Sequence, residues 1–217
     1  MPPTLVIGNK NYSSWSLRPW LAMRAFGIPF EEELIVLDRP DTHARILARS
    51  PAARVPVLLD GDTAVWESLA IIETLAERFP DKGLWPSDPM ARAHARAISS
   101  EMHAGFAALR GHFPMNVRRD RAARREPTPE AARDIARIED IWTGARRRFG
   151  AGGDFLFGAF SAADCMFAPV VWRFHAYGIP AGDAAARYME AMLAHPGMRE
   201  WEEAARAEPW VVHSSEV

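Results

Sequence analysis

Cysteine is nearly absent from this 217-residue chain, Cys165 being the only one. That excludes an internal disulfide framework and any metal site built from thiolates alone, and it fits a reducing compartment. Lysine is scarce too: apart from Lys10 and Lys82 every basic residue is arginine, which reads as coding bias rather than as a binding surface. No stretch approaches the ~18 apolar residues of a membrane span. The opening Met-Pro-Pro-Thr-Leu-Val-Ile-Gly lacks the basic lead of a signal peptide. The expectation is a cytoplasmic protein with no membrane partner.

An excess of one charge is also missing. With 26 basic against 28 acidic side chains the net charge is −2, which counts against nucleic acid or an anionic membrane as the main partner. Between Arg110 and Arg148 there are 11 basic and 6 acidic residues, but no aromatics interleave with the Arg run, and a solvated helical face explains it. The chain contains no G-x-S-x-G, H-E-x-x-H, P-loop or G-x-G-x-x-G. Its seven histidines show no i,i+4 pair, and no metal site is expected.

What is present is a soluble globular composition, 48% apolar and 25% charged. Thr4–Ile7 is a β-rich run ended by Gly8. Leu17, Trp20, Leu21 and Ala25 recur at helical spacing until Gly27 and Pro29. Pro19 is tolerable there if the helix starts near Ser16. Phe30–Leu37 reads as a second strand, Asp41–Arg49 as a short helix, and Val57–Leu59 with Thr63–Trp66 as a hairpin around Asp60-Gly61-Asp62. Ser68–Phe79 is an amphipathic helix. The order βαβαββα predicts a parallel pair plus an antiparallel hairpin, hence a small mixed four-stranded sheet. Pro80, Pro86 and Pro89 mark a linker. Beyond it Met90–His112, Glu130–Phe149, Ala162–Tyr177, Asp183–Ala194 and Gly197–Ala207 read as helices. The expected division is an α/β domain over residues 1–80, a linker over 81–89 and an all-helical domain over 90–217.

Three places in the first part carry chemistry. Asn11-Tyr12-Ser13-Ser14-Trp15-Ser16 is a hydroxyl cluster before the first helix. One serine suffices as an N-cap, and three hydroxyls at the positive end of a helix also suit an anion such as a thiolate. In Arg54-Val55-Pro56 the proline is either an edge-strand device or a cis bond that turns the Val55 backbone toward a ligand. Glu67-Ser68 opens a helix, where it serves as a cap or holds a ligand's carboxylate and ammonium. In the second part Ser161-Ala162-Ala163-Asp164 is a capping box with Asp in place of Glu, which nucleates a buried helix that Pro169 kinks.

These pieces, in this order over essentially the whole chain, resemble the soluble glutathione transferases: a thioredoxin-like domain, a proline-marked linker and a helical domain. Ser13-Ser14-Trp15-Ser16-Leu17-Arg18, with Gly27-Ile28 after it, resembles the Ser-Ser-Cys-Ser-x-Arg motif of the zeta class. Arg54-Val55-Pro56 is similar to the family's cis-proline motif and Glu67-Ser68 to its Glu/Gln-Ser pair, at spacings of 43 residues from Ser13 to Pro56 and 11 from Pro56 to Glu67.

The resemblance implies that Ser13 is the catalytic residue, donating to the glutathione sulfur, with Ser14 as secondary donor. It implies that Val55 pairs with the cysteinyl backbone, Arg54 lines the same edge, and Glu67 and Ser68 take the γ-glutamyl group. Glutathione is then the co-substrate and a small-molecule electrophile the acceptor, held near Tyr12, Trp15, Met102, His103 and Phe106. A homodimer is implied too. Trp15 stands where zeta members carry cysteine, which weakens the expectation of isomerase chemistry and leaves no enzyme thiol in the motif. Two other readings stay open: a non-catalytic glutathione- or partner-binding module, and a peroxidase or disulfide reductase working through the bound thiol.

Overall fold

A computed structural model of the chain describes residues 2–217. Strand β1 (Thr4–Ile7) leads through helix α1 (Ser14–Ala25) to β2 (Glu31–Leu34). Helix α2 (Thr42–Leu47), the hairpin β3 (Val57–Asp60) and β4 (Thr63–Trp66), and α3 (Ser68–Arg78) follow. The sheet order is β2-β1-β3-β4; β1 and β2 are parallel, with Thr4 beside Glu31, and the other two pairs are antiparallel. This is the expected mixed sheet. Gly8 ends β1 because the chain passes so close to Leu37 that a Cβ there would fall 2.7 Å from its side chain.

Three boundaries differ from the sequence expectation. Helix α1 begins at Ser14 rather than Ser16, so Pro19 lies inside it and removes the N–H that would reach the Trp15 carbonyl. Strand β2 covers only Glu31–Leu34, an acidic edge strand, instead of Phe30–Leu37. The expected helix Met90–His112 is two helices, α4 (Pro89–Ala104) and α5 (Ala107–His112). Gly105 is extended and Phe106 adopts φ +60 between them. The remaining helices are α6 (Pro129–Phe149), α7 (Ala162–Tyr177), α8 (Asp183–Ala194) and α9 (Pro196–Ala207).

One face of the sheet carries a small cluster of Val6, Ile35, Ile46 and Val57. The other face merges Leu5, Ile7, Leu17, Leu21 and Ile72 into a core continuous with the helical part. Helix α7 is its axis: every residue except His175 is buried, and it packs lengthwise on α1. The Ser161–Asp164 box anchors it, since the Asp164 carboxylate accepts from Ser161 N (2.8 Å), Ser161 Oγ (2.9 Å) and Leu156 N (3.1 Å). Burial still pushes the Asp164 carboxyl up to about 6, against those bonds. Cys165 is buried beside it. The N-terminus of α1 is therefore pinned between a sheet and a helix from the far half of the chain.

Candidate active site

The turn before α1 is built by Asn9, whose carbonyl accepts from Tyr12 N (3.1 Å) and Ser13 N (2.8 Å). Ser13 occupies the N-cap position, yet its side chain makes no capping bond. Its Oγ donates instead to Ser16 Oγ at 2.7 Å, and Ser16 Oγ also accepts from Gly8 N at 3.1 Å. Glu67 and Ser68 open α3 in the same way. Glu67 precedes the helix with φ +69 and no capping bond, a conformation that is strained for a residue with a side chain. Ser68 is the first helical residue, and its buried Oγ has no hydrogen-bond partner among the described residues. The simple capping reading of both sequences is corrected: among the described residues, neither N-cap side chain accepts from a free N–H of its own helix.

Between these helix starts the Val55–Pro56 peptide bond is cis. Two neighbouring cavities meet there. One, about 310 Å³, is lined by Tyr12, Ser13, Ser14 and Trp15 on one side and Ala53, Arg54 and Val55 on the other. The second, about 100 Å³, is bounded by Trp15, Arg54, Val55, Pro56, Glu67 and Ser68. Trp15, Arg54 and Val55 belong to both, so one groove runs from the hydroxyl cluster to the α3 N-terminus. The structure thus brings Ser13, Ser14, Arg54, Val55, Glu67 and Ser68 around a single depression. Larger cavities lie on the helical part around Gly178–Pro180, away from these groups.

The expected acceptor residues separate. Met102 is fully buried and Phe106 nearly so, and both belong to the core. Tyr12 is buried and its hydroxyl is engaged by Arg118 Nη2 at 2.9 Å and by Glu216. Trp15 remains half-exposed on the groove, with the His103 ring edge-on at 5.3 Å. His103 Nε2 lies 3.4 Å from Glu67 Oε2. Burial and then the nearby Arg18 push the imidazole below its usual range, against the pull of Glu67, so it is neutral at neutral pH.

Sequence reasoning missed two further elements. Arg173 donates to Ser14 Oγ from α7, and its signal was the single arginine of a mostly apolar helix. Residues 208–216 strap the turn before Ser13, a contact no local pattern reveals.

Residues 12–78 match the family model of the glutathione S-transferase N-terminal domain, and residues 128–204 match that of its C-terminal domain. The chain belongs to the glutathione S-transferase family. It is 27% identical over 168 residues to a stringent starvation protein A homolog of Haemophilus ducreyi, covering 77% of this chain and 73% of that protein. It is 36% identical over 107 residues to a probable maleylacetoacetate isomerase of Caenorhabditis elegans, 49% of each. A glutathione transferase homolog from Burkholderia, crystallised with bound glutathione, superposes with TM-score 0.71 at 24% identity, covering 96% of this chain and 100% of that one. That likeness shows the fold: a thioredoxin-like α/β part followed by an all-helical part.

Proposed function

We propose that this chain binds glutathione in the groove and uses Ser13 to hold its sulfur as thiolate for attack on a small-molecule electrophile. The observation that carries the reading is the pair of uncapped helix starts, α1 and α3, facing one groove with serine hydroxyls that cap neither helix. Each start presents backbone N–H groups and the positive end of a helix dipole. The γ-glutamyl carboxylate suits the orphaned Ser68 hydroxyl and the α3 N-terminus, and the Glu67 carboxylate suits the γ-glutamyl ammonium. Val55 and Arg54 line the edge along which the cysteinyl backbone would lie.

Ser13 Oγ donates to Ser16 Oγ in the free protein. A hydroxyl pair reverses by rotation, and Ser16, already accepting from Gly8 N, then donates to Ser13 and frees the Ser13 proton for sulfur. A hydrogen bond to a charged acceptor is worth roughly 1.5–3 kcal/mol, enough to lower a thiol near ~8.5 by one to two units. The thiolate then donates its electron pair to the electrophilic carbon beside Trp15. A C–S bond forms, the bond from that carbon to its leaving group breaks, and the leaving group departs to water with the bonding pair, as halide does from a halo-aromatic. Residues 1–80 would hold glutathione and residues 90–217 the acceptor, joined by the linker 81–89.

A homodimer is part of the same reading: β4 is an open sheet edge, and Trp66 on it and Met90 on α4 are exposed. The cytoplasm, where reduced glutathione is abundant, is the matching compartment. A second reading, a non-catalytic binding module, is favoured by the similarity to a stringent starvation protein A homolog, a name that states no enzymatic activity. Calorimetric titration with glutathione followed by turnover assays on halo-aromatic, hydroperoxide and mixed-disulfide substrates separates the readings. Binding without turnover on any of the three selects a glutathione-binding module, and no binding at millimolar glutathione rejects both the transferase and that module.

A further inference from the structure

Ser14 is tied to the helical part by a buried cation. Arg173 donates Nη2 to Ser14 Oγ at 3.3 Å and braces itself on two carbonyls, Nε to Phe113 at 2.8 Å and Nη1 to Pro169 at 3.2 Å. Arg18, one turn further along α1, is fully buried. Its Nε reaches the Met166 carbonyl at 3.1 Å, while neither Nη atom has a hydrogen-bond partner among the described residues. Its guanidinium lies 4.1 Å from the Trp15 ring centroid, and that of Arg110 lies 5.4 Å from the same ring.

None of the three arginines forms an ion pair among the described residues. Asp134 offsets Arg110 in part, and no carboxylate nearby neutralises Arg18 or Arg173. His103 on α4 is held neutral, and Glu67 faces His103. Asp134 on α6 accepts from Leu109 N–H, and Arg54 across the groove is another cation. Burial and mutual repulsion lower the basicity of Arg18 and push Arg173 down to about 10. A buried cation without a counter-ion is costly, and such an arrangement persists where it serves a negative charge. Arg18 and Arg173 are walled in and cannot touch a bound molecule. They act through the Ser14 hydroxyl and through a weakly screened field.

We propose that Arg173 and Arg18 are positioning residues for the glutathione thiolate. Arg173 fills a lone pair of Ser14 Oγ, so the Ser14 hydroxyl proton points away from the guanidinium and toward sulfur. Arg18 places uncompensated positive charge behind Ser13-Ser14-Trp15. This rests on the reading that glutathione sulfur docks at the hydroxyl cluster, and it makes Ser14 a second donor beside Ser13. The step served is ionisation of the S–H bond: the proton leaves to water, the electron pair stays on sulfur, and nothing is oxidised or reduced.

Titration of the enzyme–glutathione complex by thiolate ultraviolet absorbance tests this on the wild type and on Arg173→Met, Arg173→Lys, Arg18→Met and Ser14→Ala. Each loss of charge or hydroxyl is expected to raise the bound thiol's pKa by about half a unit to one unit, a three- to tenfold fall in its ionisation constant, with Arg173→Lys intermediate. The double variant S14A/R173M should shift little beyond Arg173→Met alone, while glutathione affinity changes by less than about threefold. Bound glutathione whose thiol pKa is the same in wild type and in folded variants overturns the proposal and leaves the glutathione reading standing. Arg173→Met also loses two carbonyl bonds; where melting curves show it unfolded, Arg18→Met and Ser14→Ala decide. Absence of glutathione binding by the wild type overturns the reading itself and this proposal with it.

Discussion

The carboxylate of Glu208 holds the backbone of Asn11, 197 residues earlier, at 3.0 Å, and its other oxygen holds Lys10 N at 2.7 Å. Arg118 locks the same strap by donating to the Glu208 and Trp210 carbonyls and to the Tyr12 hydroxyl. Asn11 in turn donates Nδ2 to Asn116 Oδ1 at 3.0 Å and accepts from Arg118 N at 2.9 Å. The turn that delivers Ser13 is therefore fixed by the C-terminal residues and by the loop after α5, not by the sheet alone. Glu208→Gln replaces one acceptor with a donor facing a backbone N–H. It should cost about 1–3 kcal/mol in denaturant unfolding and lower kcat/KM for glutathione several-fold by loosening Ser13. Unchanged kinetics in a destabilised variant would detach the strap from the site.

Ser13 and Ser16 share one hydroxyl bond, and their substitutions should differ in kind. Ser13→Ala removes the donor proposed for sulfur and should cut turnover about tenfold or more, the effect of one to two pKa units at neutral pH. Ser16→Ala leaves Gly8 N without its acceptor and forces Ser13 to find another partner. It should destabilise the fold by about 1–2 kcal/mol with a smaller loss of turnover. Equal turnover in Ser13→Ala and wild type would move the thiolate donor to Ser14 or to the α1 N-terminus.

The sheet was legible because its cues are local: a crossover of that length makes Thr4–Ile7 and the following strand parallel, and Asp60-Gly61-Asp62 makes the next pair a hairpin. The break between α4 and α5 was not. Met102 and Phe106 keep helical spacing across it, and both are buried, so the pattern reads on while the backbone turns at Phe106. The hydroxyl cluster, the Val55–Pro56 edge and Glu67-Ser68 were visible as motifs. Their supporting residues were not, because Arg173 and Glu208 meet them only through the tertiary fold. Arg173, a buried cation in the mostly apolar helix Ala162–Tyr177, was the available sign.

Asp164 gives the fold a pH dependence of determinable sign. Its carboxyl is raised from 3.8 to about 6 by burial, so the native state keeps a proton that the unfolded chain has released. The stabilisation is complete below about pH 4 and is lost as pH rises through about 6, amounting to about 3 kcal/mol. Asp164→Asn does not titrate and serves as the control. Denaturant unfolding across this range should show wild type falling relative to Asp164→Asn, and parallel curves would show that Asp164 is already ionised throughout.

Ser68 separates binding from folding most cleanly. Its Oγ is buried without a partner among the described residues, so the free protein carries the desolvation cost of a hydroxyl and gains no bond from it. Ser68→Ala removes that cost, and its melting temperature should equal or exceed the wild-type value. If the hydroxyl awaits a ligand carboxylate, the same change should weaken glutathione about tenfold, the worth of one charge-assisted hydrogen bond. Calorimetry and thermal melting on one preparation read both effects. A variant that binds glutathione normally yet melts lower would show instead that the Ser68 hydroxyl serves the fold.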